Sequence, residues 1–167
     1  IAGHSLGEIS ALYAAEVFDF QTGVNLLKCR SELMSAAGGG AMTAVMGFEA
    51  NQLFKLVQET EGVVIANDNS AEQVVLSGTP FAVNSVIDQI ECKRAVPLKV
   101  SGAFHSPFMS EPAKLFANEL EKVEFKNAIF PVLSNADPSP TTDGPSLKGK
   151  LKEQMVTGVR WRETMNL

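Results

Sequence analysis

Residues 3–7 read Gly-His-Ser-Leu-Gly, and Glu8 follows them directly. This G-x-S-x-G spacing is typical of a serine on a sharp turn between a strand and a helix. Residues 1–2 before it fit the end of a buried strand, and Ile9–Ala15 after it are rich in helix formers. The stretch therefore predicts an α/β fold in which a strained turn exposes the Ser5 hydroxyl as a nucleophile.

The neighbours of Ser5 have expected roles in this turn. Gly3 and Gly7 should be small because bulky side chains two residues either side of the serine would collide. The turn places the backbone N–H of Leu6 near the oxyanion that forms when a serine attacks a carbonyl group. We interpret Glu8, in the first helical turn, as a partner of the helix dipole.

A nucleophilic serine needs a base, and the chain has two histidines, His4 and His105. His4 is adjacent to Ser5 and should point away from it across the turn, so we interpret it as a packing residue. His105 remains, in a loop predicted over residues 101–107. A lone histidine is more often structural than catalytic, so the residues by themselves leave the role of His105 open.

The sequence pattern divides the chain into two units. One is formed by residues 1–40 together with residues 101–167, and the other by residues 41–100. Within residues 41–100 the predicted order is strand, helix, strand, strand, helix, strand, which is the ferredoxin-like split βαβ pattern. The predicted fold class is α/β, with an α/β-hydrolase-like larger subdomain, incomplete here, and an inserted ferredoxin-like βαββαβ subdomain. The elements predicted for the insert are strand 41–46, helix 49–60, strand 62–67, a turn at 67–70, strand 73–77, helix 80–90 and strand 95–100.

The flanking segments carry longer helical patterns. Asp19 is expected to cap a helix that ends at three consecutive glycines. The elements predicted there are helix 20–37, glycines 38–40, helix 112–123, strand 129–134, a proline-rich surface loop at 137–144 and helix 147–156.

Composition excludes several classes of function. The chain has 167 residues, 45% hydrophobic and 20% charged, with a formal charge of -5. It contains no apolar run long enough for a membrane helix, and no basic stretch suited to nucleic acid. Cys29 and Cys92 are isolated and are expected to be free thiols. With two histidines, no metal site is expected.

Several motifs together resemble one family. These are the Gly-His-Ser-Leu-Gly-Glu turn, Cys29-Arg30, the insert ending at Ser101, Gly-Ala-Phe-His-Ser at residues 102–106, and the segment from Gln154 to Trp161. The chain is similar to malonyl-CoA:acyl carrier protein transacylases and to the related acyltransferase domains of fatty-acid and polyketide synthases. The resemblance covers nearly the whole chain.

The resemblance implies catalytic roles at matching positions. Ser5 corresponds to the acylated nucleophile, and His105 to the base that deprotonates it and later protonates the leaving thiol. The backbone carbonyl of Gln154 corresponds to the group that orients His105, so no triad carboxylate is expected. The backbone N–H of Leu6 corresponds to one of two oxyanion donors.

The resemblance also implies substrate-binding residues. Arg30 corresponds to the arginine that pairs with the free malonyl carboxylate, since guanidinium is a planar donor that matches a carboxylate. Phe104 resembles the residue found in malonyl-selective members. Asn67 and Asn69, with Gln73, lie where the family has polar residues near the cleft, although ordinary turn asparagines would look the same.

The implied function is transfer of a malonyl group from malonyl-CoA to the phosphopantetheine thiol of acyl carrier protein, in fatty-acid biosynthesis, without a cofactor. The implied partners are acyl carrier protein and malonyl-CoA, with no nucleic acid and no membrane, and a monomer is expected. The expected location is the bacterial cytoplasm, or a plastid or mitochondrion in an organellar protein. Because the net charge is negative, an acidic carrier would need a local basic patch.

One family feature has no counterpart in these residues. The second oxyanion donor belongs to a loop upstream of the turn, and losing one donor typically costs about 10²–10³ in rate. The chain also begins at Ile1 rather than methionine and has no obvious helix stop at its C-terminus. We therefore expect the natural protein to extend further at both ends, and the 167 residues alone to be weakly active or inactive and poorly stable.

Two other functions stay open. A serine esterase or thioesterase of the α/β-hydrolase type shares the turn, and would need an acid such as Asp68 or Asp88 between Ser5 and its histidine. A truncated, non-catalytic docking module for acyl carrier protein is the other possibility.

Overall fold

The computed structural model describes residues 1–100 and 102–167 of the chain. Ser101, taken above as the end of the inserted unit, lies outside the described residues. The structure is a mixed α/β fold with one small antiparallel sheet. Its elements are α1 (Gly7–Ala14), α2 (Phe20–Ala36), β1 (Ala41–Phe48), α3 (Ala50–Glu59), β2 (Val63–Ser70), β3 (Gln73–Gly78), α4 (Pro80–Ile87), β4 (Cys92–Pro97), a 3₁₀ helix (Pro107–Met109), α5 (Ser110–Glu121), α6 (Gly144–Glu153) and α7 (Trp161–Thr164).

The four strands form a sheet in the order β2-β3-β1-β4, with every neighbouring pair antiparallel. The strand and helix order predicted for residues 41–100 is confirmed. One face of the sheet packs against α3 and α4 around a buried apolar cluster. Its most buried members are Val45, Leu53, Val74, Leu76, Val83 and Val86. The central strands β1 and β3 are buried at consecutive positions, because successive side chains point to opposite faces and apolar residues cover both faces.

A second and larger apolar cluster joins the helices outside the sheet. It draws buried residues from α1, α2, α5 and α6, among them Leu12, Leu26, Phe116 and Leu151. Phe104, in the loop after the sheet, packs against this cluster and also against apolar residues on the other face of the sheet. The loop that carries His105 is therefore held between the two packed units.

Side-chain caps begin α2 and α4, and the cap by Asp19 is the one predicted from the sequence. The Asp19 side chain accepts a hydrogen bond from the N–H of Thr22 at 2.8 Å and caps α2. Thr79 caps α4 in the same way, and Pro80 occupies the first turn of that helix, where the missing N–H is not needed. These caps satisfy backbone donors that a helix leaves without partners.

The turn predicted at residues 67–70 is wrong, because β2 continues to Ser70 and the chain reverses at residues 71–72. Tertiary pairing keeps these polar residues extended. The N–H of Asp68 donates to the carbonyl of Val159 at 2.9 Å, and the Val159 N–H donates to the carbonyl of Ala66 at 2.8 Å. The carboxylate of Asp68 also pairs with Arg162 at 2.8 Å.

Two further strand predictions are wrong. The strand placed at 95–100 lies at Cys92–Pro97, because its register with β1 pairs Phe48 with Cys92 and Thr43 with Pro97. The strand placed at 129–134 is reduced to the single bridges Ala2–Leu133 and Val132–Thr141. Residue 131 is a proline, which has no N–H to donate, and the partner segment turns away directly after Ala2. A ladder of several paired residues therefore does not form here among the described residues.

No helix among the described residues is long and apolar enough to cross a membrane.

Replacing Leu53 with alanine should destabilise the packing of α3 on the sheet. Leu53 is fully buried, so the change removes its apolar contacts and leaves a cavity, which lowers the free energy of unfolding by about 2–5 kcal/mol. Urea unfolding followed by circular dichroism measures this loss. Leu115→Ala is the matched control because Leu115 is 53% exposed, and it should change stability by at most about 0.5 kcal/mol. Equal effects of the two substitutions would contradict the burial assignment.

Candidate active site

Ser5 lies on a strained turn immediately before α1. Its φ is +49°, in the left-handed region that residues other than glycine rarely adopt. A Cβ atom at Gly3 would lie 2.0 Å from the carbonyl oxygen of Gly7, so only glycine fits position 3. The prediction that Gly7 must also be small is wrong among the described residues. A Cβ atom at Gly7 would meet no heavy atom within 4 Å.

His105 is the histidine that contacts Ser5. The Ser5 Oγ and His105 Nε2 atoms are 2.7 Å apart, and His105 Nδ1 lies 2.9 Å from the backbone carbonyl of Gln154. A carbonyl only accepts, so Nδ1 carries the proton and Nε2 of the neutral ring accepts from the Ser5 hydroxyl. His105 is 3% exposed and has a φ of +55°, so the loop holds it in a strained, buried position.

His4 faces the opposite way, as expected. Its Nε2 atom is 2.9 Å from the Oδ1 of Asn69, and its ring packs edge-on against Trp161 at a centroid distance of 5.1 Å. His4 is an exposed residue that links the turn to β2 and α7, and its ring makes no described contact with the Ser5 hydroxyl.

Arg30 comes from α2 and reaches the same hydroxyl. It is 3% exposed, and its Nη2 donates to Ser5 Oγ at 3.0 Å while its Nε donates to the side-chain Oε1 of Gln154 at 2.9 Å. A buried guanidinium beside the nucleophile is a ready partner for a negatively charged group bound there. The structure therefore brings Ser5, His105, Arg30 and Gln154 together from distant parts of the chain.

Asn135 is a site residue that the sequence did not reveal. Its Oδ1 accepts from the Ser5 N–H at 2.5 Å, and its Nδ2 donates to the Gly3 carbonyl at 2.7 Å. The carboxamide thus spans the turn and supports the strained backbone of Ser5. An asparagine after an apolar stretch has many local explanations, so no sequence signal separates this role from a surface turn.

Glu8 is the second missed residue. It is fully buried, and its Oε2 accepts from the Asn135 N–H at 3.0 Å and from the Gln154 Nε2 at 2.7 Å. The dipole interpretation of Glu8 is therefore incomplete, because the side chain points into the protein. The available signal was its spacing of four residues from the buried Leu12, which places both on one face of α1.

The other predicted site residues lie nearby in varied settings. Leu6 is 44% exposed, and its backbone N–H has no acceptor among the described residues. Phe104 is half-buried between the larger helical cluster and the apolar residues on the other face of the sheet. Asn67 is buried and pairs through its backbone with Val159, and the Asn69 side chain contacts His4 in the turn.

Burial controls the charges of the site. The pKa of His105 is lowered to about 4, chiefly by desolvation and in part by the nearby Arg30 cation, while the Gln154 carbonyl acts in the opposite direction. Desolvation also lowers the pKa of Arg30 to about 10, although the neighbouring Glu8 opposes this. His105 is thus a neutral acceptor and Arg30 a cation at neutral pH. Burial raises the pKa of Glu8, against hydrogen bonds from Gln154 and Asn135.

The described residues contain no group of three or more histidine, cysteine or acidic side chains that could hold a metal ion. The arrangement places a serine hydroxyl where it can donate its proton to a neutral histidine, beside a buried cation.

Comparison with known proteins identifies the family of the chain. The model of the acyl transferase domain matches residues 1–166, and the chain belongs to this family.

Individual relatives indicate which members of the family the chain is similar to. The malonyl CoA-acyl carrier protein transacylase of Synechocystis sp. is 57% identical over 165 residues, which are 99% of this chain and 56% of that protein. The crystal structure of the Synechocystis enzyme matches with a TM-score of 0.97 at 57% identity, and the chain covers 99% of its own length and 56% of that structure. A malonyl-transacylase in complex with a type II polyketide synthase acyl carrier protein matches with a TM-score of 0.91 at 35% identity, over 99% of this chain and 56% of that one. The chain thus spans about half the length of these relatives.

The reactivity of Ser5 should follow the depressed pKa of His105. Below its pKa the imidazole is protonated and cannot accept the serine proton, so labelling by a serine-directed phosphonate should fall as pH drops through about 4. Labelling rates measured by intact mass across pH give this midpoint, with Ser5→Ala as the unlabelled control. Circular dichroism at each pH checks that the protein stays folded. A midpoint near 6.5, the ordinary histidine value, would contradict this prediction.

Replacing Asn135 with alanine should weaken the support of the turn. The Ser5 N–H and the Gly3 carbonyl would lose their partner in a partly buried place, so the free energy of unfolding should fall by about 1–3 kcal/mol and phosphonate labelling should slow. Urea unfolding and labelling rates measure the two effects. Asn25→Ala is the matched control because Asn25 is exposed on α2. Wild-type labelling by the Asn135 variant would disprove the role.

Proposed function

We propose that this chain carries the catalytic serine and histidine of an acyltransferase that moves a malonyl group from malonyl-CoA to the phosphopantetheine thiol of acyl carrier protein, in fatty-acid biosynthesis. The observation that carries the proposal is the placement of the Arg30 guanidinium 3.0 Å from the hydroxyl of Ser5, which itself contacts His105 at 2.7 Å. The names of the relatives support the malonyl donor and the carrier protein as substrates.

In the first half of the cycle, Ser5 Oγ attacks the thioester carbonyl and its proton passes to His105 Nε2. The Leu6 N–H stabilises the tetrahedral oxyanion, and the N-terminus of α1 adds positive potential. The C–S bond breaks, and His105 gives the proton to the departing CoA thiolate. The product is a malonyl ester on Ser5.

In the second half, the thiol of the carrier's phosphopantetheine arm gives its proton to His105 and attacks the ester carbonyl. A new thioester C–S bond forms as the bond to Ser5 Oγ breaks, and His105 returns the proton to Ser5. Both halves balance without an oxidant, reductant, metal or cofactor, and the order of events is ping-pong. Gln154 holds the His105 ring in the required tautomer through its backbone carbonyl.

Arg30 accounts for the choice of an acyl group that bears an acid. Its terminal nitrogen already lies at Ser5 Oγ, so a malonyl group attached there places its free carboxylate within reach of a buried cation. An acetyl group has no carboxylate to offer. Phe104 contributes an apolar wall next to His105 and is proposed to favour malonyl over branched acyl groups. Asn69, which contacts His4, and Asn67, which pairs with Val159, are proposed to border the bound acyl group.

The two alternative functions receive less support. A hydrolase triad would need a carboxylate on His105 Nδ1, but that atom faces the Gln154 carbonyl, while Asp68 pairs with Arg162 and Asp88 is exposed. A purely docking role would leave unused the bonds from Ser5 Oγ to His105 and from Arg30 to the same atom.

The proposed organisation is a ferredoxin-like unit, residues 41–100, inserted into an α/β-hydrolase-like unit formed by residues 1–40 and 101–167. The sheet order and the separate apolar clusters support this division. The monomeric state and a cytoplasmic or organellar location stay predictions.

Intact-mass spectrometry after brief incubation with malonyl-CoA or acetyl-CoA tests the function. The wild type should gain a malonyl adduct that Ser5→Ala lacks, and Arg30→Ala should lose the preference for malonyl over acetyl. Adding phosphopantetheinylated acyl carrier protein should then move the adduct to the carrier thiol rather than release free acid.

The outcomes separate the alternatives. Release of free malonate with no transfer would favour a thioesterase, and carrier binding without any acyl-serine would favour a docking module. If folded protein gives no adduct, the measurement is repeated with the natural protein that carries these residues. A second failure would overturn the transferase proposal.

A further inference from the structure

The Gln154 side chain has a defined orientation, because its two ends meet different kinds of atom. Its Oε1 accepts from the Nε of Arg30 at 2.9 Å. Its Nε2 donates to the backbone carbonyl of Ser5 at 2.9 Å and to the Oε2 of Glu8 at 2.7 Å. A flipped carboxamide would face the Arg30 donor with an N–H group and two acceptors with an oxygen, so the bonding pattern permits one orientation.

Glu8 is the acidic residue at the base of this arrangement. The residue is fully buried, so its carboxyl group makes its hydrogen bonds within the protein. Its Oε2 accepts from Gln154 and also from the backbone N–H of Asn135, which ties the carboxyl group to a second part of the chain. Because Oε2 accepts from two N–H donors, it can pair only with the amide nitrogen of Gln154, so Glu8 fixes which end of the Gln154 carboxamide points toward Arg30.

The consequence is a fixed direction for the Arg30 guanidinium. With its Nε bonded to Gln154, the planar group cannot rotate freely, and its Nη2 edge is directed at Ser5 Oγ. A guanidinium recognises a carboxylate through its flat, two-pronged edge, so the direction of that edge decides whether a bound acyl group's carboxylate is matched.

We propose that Glu8, acting through the Gln154 carboxamide, is a positioning residue that aims Arg30 at the carboxylate of the acyl group on Ser5. Glu8 and the Gln154 side chain thereby set the preference for acid-bearing acyl groups. This role is separate from that of the Gln154 backbone carbonyl, which holds His105. The proposal rests on the malonyl transfer proposed above.

The test compares malonyl-CoA with acetyl-CoA as acyl donors, using the natural protein that contains these residues. The readout is the ratio of the two kcat/KM values for Ser5 acylation, measured by rapid quench and intact mass. Gln154→Met keeps the backbone carbonyl but removes the carboxamide, and Glu8→Leu removes the acceptor. Glu8→Gln keeps an acceptor oxygen, and Gln52→Met, at an exposed glutamine on α3, is the matched control.

Loss of a hydrogen bond to a charged group typically changes an equilibrium by roughly tenfold or more. We therefore expect Gln154→Met and Glu8→Leu each to lower the malonyl-to-acetyl ratio by about tenfold or more. Glu8→Gln should restore most of the ratio, and Gln52→Met should leave it unchanged. In an Arg30→Ala background, Gln154→Met should produce no additional change in the ratio, since its effect passes through Arg30.

Equal losses for both donors, with the ratio unchanged, would show a merely structural role and overturn the proposal. A fall in the ratio of the same size in the Arg30→Ala background would overturn it too, because the effect would not pass through Arg30. If the wild type itself has no preference for malonyl, the proposed function fails instead.

A measurement on the unmodified protein covers the case in which the variants do not fold. The Nε–H of Arg30, observed by ¹H–¹⁵N nuclear magnetic resonance, should exchange with water far more slowly than that of the exposed Arg94, because it is buried and bonded to Gln154. Exchange of the two groups at similar rates would refute the fixed guanidinium and the proposal with it.

Discussion

The backbone of Ser5 is the constraint on which the site depends. A non-glycine residue at a φ of +49° costs on the order of 1–3 kcal/mol, and it persists only where neighbours hold it. Here the N–H of Ser5 donates to the Asn135 carboxamide, and its carbonyl accepts from the Gln154 side chain. Both supporting residues in turn donate to Glu8. The strain exposes the hydroxyl, and a buried polar network keeps the strain in place.

Burial gives the same network its chemical properties. A histidine in water would be partly protonated near neutral pH, whereas burial lowers the pKa of His105 to about 4 and keeps it ready to accept a proton. The adjacent Arg30 works in the same direction, since a cation disfavours a second positive charge. Arg30 is itself tolerated in the interior because Gln154 and Glu8 offset its desolvation. One buried cluster thus holds both a neutral imidazole and a fixed cation.

The small sheet and the helical unit meet beside this cluster. The backbone of Val159 pairs with β2 at Asn67, Arg162 pairs with Asp68, and His4 contacts Asn69. Gly158 permits this approach, because a Cβ there would lie 2.5 Å from the carbonyl oxygen of Ile65. These contacts connect the segment after Gln154 to the sheet, so the carbonyl that orients His105 lies between the end of α6 and a segment paired with the sheet.

Local spacing in the sequence determined the serine turn, the order of strands and helices in residues 41–100, and the Asp19 cap, because each depends on residues within a few positions of one another. Resemblance to a family added Arg30, His105 and Gln154. Tertiary structure alone decided the extension of β2 to Ser70, the collapse of the strand at 129–134 to single bridges, and the roles of Asn135 and Glu8. Those features rest on hydrogen bonds such as Ser5 to Asn135, which join residues 130 positions apart, and no local pattern encodes such a contact.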